Sequence, residues 1–385
     1  MFKRLIGMDE SDSGNHKRFL FLGSALLKTG GIERYNQNLL RSIIKFCQSM
    51  KILIMSDTKK KFSDIPIRSY GHFKHSIFRK VAFSMRFFRE VFFFNPNIII
   101  CGHVNFSLLC YIVSLFPRKR YVVIVYGIDV WHINTRAKRK ALGKAHLIIS
   151  ISNFTKNKIT EQVPELKNKV QLLPPAIDGA IFFPKPKPVY LIKRYGLESK
   201  KVILTICRLD KSEGYKGYDK VIEALPKIIK KIPNLVYLIG GKGNDAPRIK
   251  RLIKGRGLDD YVKLIGLIPE KELVDHYNLC DIFVMPSKGE GFGIVFLEAV
   301  ACGKPVICGN KDGSVDAVLN GKLGILVDPD NIDQIADAII NVLQGNVPNH
   351  LLDPSYLRKT VLEHYGSDKF TKRVKGLLKR VKDEL

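Results

Sequence analysis

"DIFVMPSKGEGFGIVFLEAVACGKPVICGN", residues 281–310, decides the fold. It reads as a buried strand (DIFVMPS), a loop from Ser287 to Gly293, a short apolar helix closing at Gly303, and a second strand (PVICGN). Fully apolar strands joined through a helix make a parallel pair covered on both faces. Two carboxylates punctuate the run, Glu290 on the loop and Glu298 about two helical turns later. Backbone N–H groups where a glycine-rich loop enters a helix suit anionic or hydroxyl-rich ligands. A carboxylate there can accept from vicinal hydroxyls, so the pair fits a sugar and a ribose. On spacing alone, a solvated glutamate and a helix-dipole partner explain it equally well.

The same alternation runs outward in both directions. "RFLFLGSAL" precedes the helical pattern "GGIERYNQNLLRSIIKF", and "KILIMS", "NIIICG", "YVVIVYG" and "HLIISIS" follow. After the proline-lysine stretch 184–190, which suits a linker, a second series begins: "KVILTICRL", "LVYLIGG", "VKLIGLI", "DIFVMPS", "PVICGN" and "GILVD". At 385 residues the chain is long for one core. The expected fold is α/β, two doubly wound Rossmann-like domains facing each other across a cleft that is the natural ligand site. Residues 1–16 are expected as a loose tail, 17–183 as the first domain and 191–365 as the second. The amphipathic helix 366–385 is expected to pack back on the first.

Formal charge is +28 and lopsided. Residues 1–185 hold 31 Lys/Arg against 11 Asp/Glu, a net of +20, which leaves +8 for the remainder. Such an excess attracts phosphates. The seven cysteines form no C-x-x-C pair, which reads as buried thiols in a reducing compartment with no metal site. "MFKRLIGMDESDSGNHKR" lacks a signal-peptide core. The apolar run 91–116 is broken by Asn95-Pro96-Asn97 and Gly102-His103-Val104-Asn105, so helix end, strand, loop and helix are expected there in place of a membrane span.

Three further pieces carry chemistry. Gly30-Gly31 makes a tight turn between strand and helix. It lacks the third glycine and the acidic residue of a dinucleotide fingerprint, so nicotinamide oxidoreduction is poorly supported, although a phosphate fits. Arg208 ends a buried strand and Lys216 precedes Gly217 at a helix start, two cations that can clamp a diphosphate. His103 stands just past a strand's carboxyl end. A lone histidine there is more often structural than functional.

These motifs, in this order, resemble glycosyltransferase family 4, over nearly the whole chain. Gly30-Gly31 resembles its first glycine turn, "GHVNFS" its His-bearing loop and "VILTICRLDKSEGYKG" its Arg/Lys segment. "VKLIGLIPEKELVDHYNLCDIFVMPSKGEGFGIVFLEAVACGKPVI", with two glutamates seven residues apart, is similar to its most specific part. The resemblance implies a GT-B fold and a retaining, nucleotide-sugar-dependent enzyme; Arg208, Lys216 and the Gly31 amide would supply the positive field at the diphosphate without metal, and no cofactor is expected. Gly31, Arg208 and Lys216 would bind the diphosphate, with Gly30 also among the donor-binding residues. Glu290 and the backbone of Phe292, Gly293, Ile294 and Val295 would hold the sugar, Glu298 the ribose, and Gly291 is also among the donor-binding residues. Gly266, Leu267 and Ile268 would flank the base, with His103 by the reacting carbon; His103, Arg208, Lys216 and Glu290 are the catalytic set. Asn105, Tyr126 and Asp129 are placed on the acceptor side. Tyr126 stands where the family often has His, and "LLPPAID" (172–178) replaces a usual Pro-Asn-Gly, which puts acceptor identity in doubt.

The expected reaction moves a hexose from UDP-glucose, with GDP-mannose as the alternative donor, to a saccharide or lipid-linked acceptor of bacterial surface polysaccharide. Asp328-Pro329-Asp330 reads as a turn and cap, with no metal. Residues 72–94 mix Lys/Arg with phenylalanines at helical spacing, as helices lying on anionic membranes do. The expected location is cytoplasmic, peripheral on the inner membrane face. Nucleic-acid binding is the rival reading of the charge, but no helix-turn-helix, zinc finger or RNP pattern supports it.

Overall fold

The computed structural model describes residues 18–27, 30–56, 61–62, 65–71, 75–117 and 119–383. The first sheet holds β1 (Arg18–Gly23), β2 (Ser49–Ile54), β3 (Lys61–Phe62), β4 (Ile65–Ser69), β5 (Ile98–Cys101), β6 (Arg120–Val125), β7 (Leu147–Ser150) and β8 (Val170–Leu172). Their spatial order is β3-β4-β2-β1-β5-β6-β7-β8, with β3 antiparallel to β4 at the edge. The second holds β9 (Lys201–Ile206), β10 (Leu235–Gly240), β11 (Val262–Gly266), β12 (Ile282–Met285), β13 (Val306–Gly309) and β14 (Ile325–Val327), in the order β11-β10-β9-β12-β13-β14. Both are doubly wound, as the apolar strands predict.

By packing the chain divides into two units. One takes in residues up to Ile124, Asn134–Ile148 and the chain from Lys375; the other takes Val125–Ile133 and Ile149–Val374. The limits 17–183 and 191–365 follow the linker, whereas packing groups 125–133 and 149–183 with the second unit even though β8 hydrogen-bonds into the first sheet. The helix Ser367–Asp383 passes into the first unit at Lys375, where Arg120 donates to the Val381 carbonyl.

The apolar run 91–116 resolves into the predicted pieces. The helix Ser76–Arg89 continues as one π-helical turn, Glu90–Phe94, and Asn95 ends it in the left-handed region at φ 49° before Pro96. Then follow β5 and the helix Ser107–Val113. No helix among the described residues is long and apolar enough to cross a membrane. Glu90, buried there, is paired with Lys51 and Arg86.

In the second unit the helix Tyr218–Lys231 buries Tyr218, Val221, Ile222, Leu225 and Ile228 in one core with Tyr237 and Ile239 of β10 and Ile282 and Val284 of β12. Each aliphatic side chain so buried contributes about 1.5–3 kcal/mol. That packing fixes the strand ends from which the candidate site grows.

Candidate active site

Each sheet changes winding direction once, and parallel sheets bind ligands beyond the carboxyl ends of strands at that switch. In the second sheet the switch lies between β9 and β12, where Ile203 pairs with Ile282 and Leu204 with Phe283. Arg208 leaves the end of β9, and the loop bearing Glu290 leaves the end of β12. Adjacency of two strands far apart in sequence is what brings cation and carboxylate together.

Lys216 arrives on a 3-10 turn, Lys211–Lys216, ended by Gly217 at φ 75°. A Cβ on Gly217 would stand 2.3 Å from the Pro286 carbonyl oxygen, so only glycine lets this turn lie on the end of β12. Lys288 N–H then donates to the Tyr215 carbonyl at 2.9 Å. The result is a compact ion cluster. Lys216 Nζ lies 2.5 Å from Glu290 Oε1 and 3.5 Å from Glu213 Oε2, and Glu213 Oε1 lies 3.0 Å from Arg208 Nη1. Burial pushes the Lys216 ammonium toward neutrality, but Glu290, through its charge and its hydrogen bond, together with Tyr215 and Cys207 outweighs it, and its pKa stands well above the ordinary lysine value.

Asp312 builds the loop. Fully buried, its Oδ2 accepts from Ser287 Oγ and from Glu290 N–H, both at 2.7 Å, and its Oδ1 from Ser314 N–H at 2.9 Å. Burial raises its pKa to about 6, against the lowering effect of those hydrogen bonds. Next along the loop, a Cβ on Gly291 would fall 1.7 Å from the Tyr126 carbonyl oxygen, within the same unit. The Tyr126–Asp129 turn therefore closes on the Glu290 loop. Asp129 Oδ1 accepts from Gly127 N–H at 2.7 Å and Tyr126 N–H at 3.1 Å, so this carboxylate shapes the turn.

Glu298 lies on the helix Ile294–Ala301 and is 2% exposed; its Oε2 accepts from Tyr277 OH at 2.7 Å. Glu298, which the resemblance assigns to the ribose, is thus set into the packing beside Tyr277. Gly266 ends β11 at φ 72°, Leu267 beyond it is exposed, and Ile268 packs back on Gly240.

In the first sheet the switch falls between β1 and β5, which pair from Phe19–Ile98 to Leu22–Cys101. Gly30 and Gly31 follow β1 and open the helix Gly31–Ile44, with the Glu33 carboxylate against Gly30; His103 and Asn105 follow β5. His103 Nδ1 accepts from Asn105 N–H at 3.2 Å, which leaves the neutral ring's proton on Nε2. These four belong to the first unit; Arg208, Lys216, Glu290, Glu298 and Gly266–Ile268 belong to the second. Asp328 Oδ1 accepts from Asp330 N–H at 2.9 Å, the local turn expected.

The family model described as "Glycosyltransferase Family 4" matches residues 29–180, and "Glycosyl transferases group 1" matches 191–355. The chain belongs to glycosyltransferase family 4. Among curated relatives, the family 4 chain is 31% identical over 237 residues to the GDP-mannose-dependent alpha-(1-6)-phosphatidylinositol monomannoside mannosyltransferase of Mycolicibacterium smegmatis, covering 58% of this chain and 61% of that one. It is 23% identical over 270 residues to O-antigen chain mannosyltransferase B of Escherichia coli, covering 70% and 69%. It spans little more than half the length of the first such relatives, down to 52%. Among solved structures, Anabaena HepE in complex with UDP superposes with a TM-score of 0.80 at 18% identity, covering 94% of this chain and 100% of that one. Sucrose-phosphate synthase of Thermosynechococcus elongatus gives 0.78 at 16%, covering 96% and 100%. These likenesses show the GT-B fold.

Two residues of this family 4 site escape sequence reasoning. Glu213 could have been found from its i, i+3 spacing to Lys216 on a short turn. Asp312 carries no local signal, because its partners lie 22 and 25 residues away. A cavity of about 300 Å³ lies behind Phe292, lined among others by Asp316, Asn320, His364, Tyr365 and Arg373; of the predicted site residues it touches only Phe292.

Proposed function

We propose that the chain is a retaining hexosyltransferase that takes its sugar from a nucleoside diphosphate sugar. The observation that carries this is the Arg208–Glu213–Lys216–Glu290 cluster at the β9/β12 switch. Arg208 and Lys216 neutralise the diphosphate as it leaves. Glu290 exchanges its hold on Lys216 for the sugar hydroxyls, the loop amides from Gly291 to Val295 orient the ring, and Glu298 takes the ribose. An acceptor hydroxyl oxygen bonds to the anomeric carbon on the face the diphosphate leaves. The carbon–oxygen bond to the diphosphate breaks with its electron pair, and the hydroxyl proton passes to a diphosphate oxygen.

For the donor, the mannosyltransferase names of the two curated relatives favour GDP-mannose over the UDP-glucose expected from the sequence. The UDP-bound HepE supports the fold and leaves the base open. Calorimetry with GDP and UDP, followed by transfer assays with GDP-mannose and UDP-glucose, tests both points. Heat and turnover with the guanosine compounds, and loss of roughly 100-fold or more in transfer on Arg208→Ala or Lys216→Ala, are expected. Absence of binding to either diphosphate refutes the proposal.

The acceptor is read as saccharide on a lipid at an anionic membrane surface, and a patch of the first unit supports this. Ile77, Phe78, Val81 and Met85 recur along one side of the helix Ser76–Arg89 and are all more than half exposed. Phe92 and Phe93 carry the stripe through the π-turn, and Phe116, edge-on to Phe92, widens it with Leu115. Lys80 and Arg89, exposed on the same helix, suit anionic headgroups.

A further inference from the structure

We propose that Glu213 is the positioning residue of the diphosphate clamp, an inference that rests on the reading of Arg208 and Lys216 given above. Its carboxylate gives one oxygen to each cation, Oε1 at 3.0 Å from Arg208 Nη1 and Oε2 at 3.5 Å from Lys216 Nζ. Two cations that must meet one anion repel each other, and a carboxylate between them offsets the repulsion. The Glu213 side chain is 16% exposed where that of Arg208 is 67% exposed, so the carboxylate is the anchored member and the guanidinium the one being held. Its anchoring is local. Glu213 stands three residues before Lys216, at a kink in the turn where its backbone leaves the helical region at φ -111° and ψ 22°. Its N–H donates to the Asp210 carbonyl at 2.8 Å, and Asp210 Oδ1 caps the turn through Ser212 N–H at 3.0 Å.

The donor count keeps the clamp usable. A guanidinium has five N–H donors and an ammonium three. Glu213 engages one nitrogen of Arg208, and at Lys216 it shares the ammonium with Glu290. Donors on both side chains remain for phosphoryl oxygens. A diphosphate arriving beside Glu213 therefore meets two cations already at one spacing, with less side-chain freedom left to lose on binding.

Calorimetric affinities for GDP and UDP, with melting temperatures, test this in wild type, Glu213→Gln, Glu213→Asp and Lys216→Ala. Glutamine keeps the size and one acceptor but turns an NH2 toward one cation. Glu213→Gln should weaken the better-bound diphosphate about 10-fold at an unchanged melting temperature, the loss of one charge-assisted contact. In transfer assays the loss should fall on the donor KM more than on kcat. Glu213→Asp, which keeps the charge, should recover part of the affinity. Unchanged or tighter binding by Glu213→Gln, with Lys216→Ala having lost it, overturns the role of Glu213 and leaves the clamp standing. Full binding by both variants overturns the clamp as well.

Discussion

Asp312→Asn separates what the Glu290 loop gains from a buried carboxylate from what that carboxylate costs. The group is fully buried, and its pKa rises from 3.8 to about 6 on folding. A carboxyl with a higher pKa folded than unfolded keeps a proton that the unfolded chain has released. It therefore lowers stability as pH rises through that interval. Two pKa units correspond to about 3 kcal/mol, of which about 2 kcal/mol falls between about pH 4.5 and about pH 7.5. Asparagine does not titrate. The stability gap between wild type and variant should therefore move by about 2 kcal/mol in the variant's favour over that interval. Hydrogen bonding sets the starting point. The variant's NH2 cannot accept from Glu290 N–H, and a buried donor left unpaired costs about 1–3 kcal/mol. Asp312→Asn should thus be the weaker protein at the acid end and draw level at the neutral end. Urea unfolding followed through Trp131, the sole tryptophan, reports on the second unit that holds Asp312. A gap that stays flat across the interval refutes titration of Asp312 near pH 6.

Gly291→Ala should abolish most transfer and lower the melting temperature, because its Cβ would meet the Tyr126 carbonyl at 1.7 Å; an active, equally stable variant would show that the two loops separate at no cost. Replacing Ile77, Phe78 and Met85 together by serine should reduce sedimentation with anionic vesicles while leaving GDP and UDP affinity unchanged. Equal pelleting of wild type with neutral and anionic vesicles would remove the electrostatic part of the membrane reading.

Much of this architecture is written locally. Fully apolar strands alternating with amphipathic helices specify parallel sheets covered on both faces, whatever else the chain contains. Helix ends carry their own punctuation: Gly217 and Gly303 adopt positive φ at the ends the sequence marks, and Asn95 does the same before Pro96. Arg208, His103 and the loop bearing Glu290 follow strand ends for the same reason, since strand limits are legible from the apolar runs, and Lys216 is marked by Gly217 at the start of a helix. Glu298 was legible as a residue but not as an environment; its seat beside Tyr277 depends on how the helix Leu273–Leu279 packs.

The sequence alone determined the order of strands and helices, the glycine punctuation and the residue types at each strand's carboxyl end. These follow from contacts within a few residues, where backbone geometry and side-chain period leave few choices. Tertiary structure alone decided that β9 would lie beside β12, so that Glu290 meets Lys216 across 74 positions of chain. It also decided that Asp312 would hold the loop from below and that Gly291 would be closed over by Tyr126. Each of those contacts joins segments with no shared periodicity, so nothing in either segment announces the other; only the packed sheet puts them within hydrogen-bond reach.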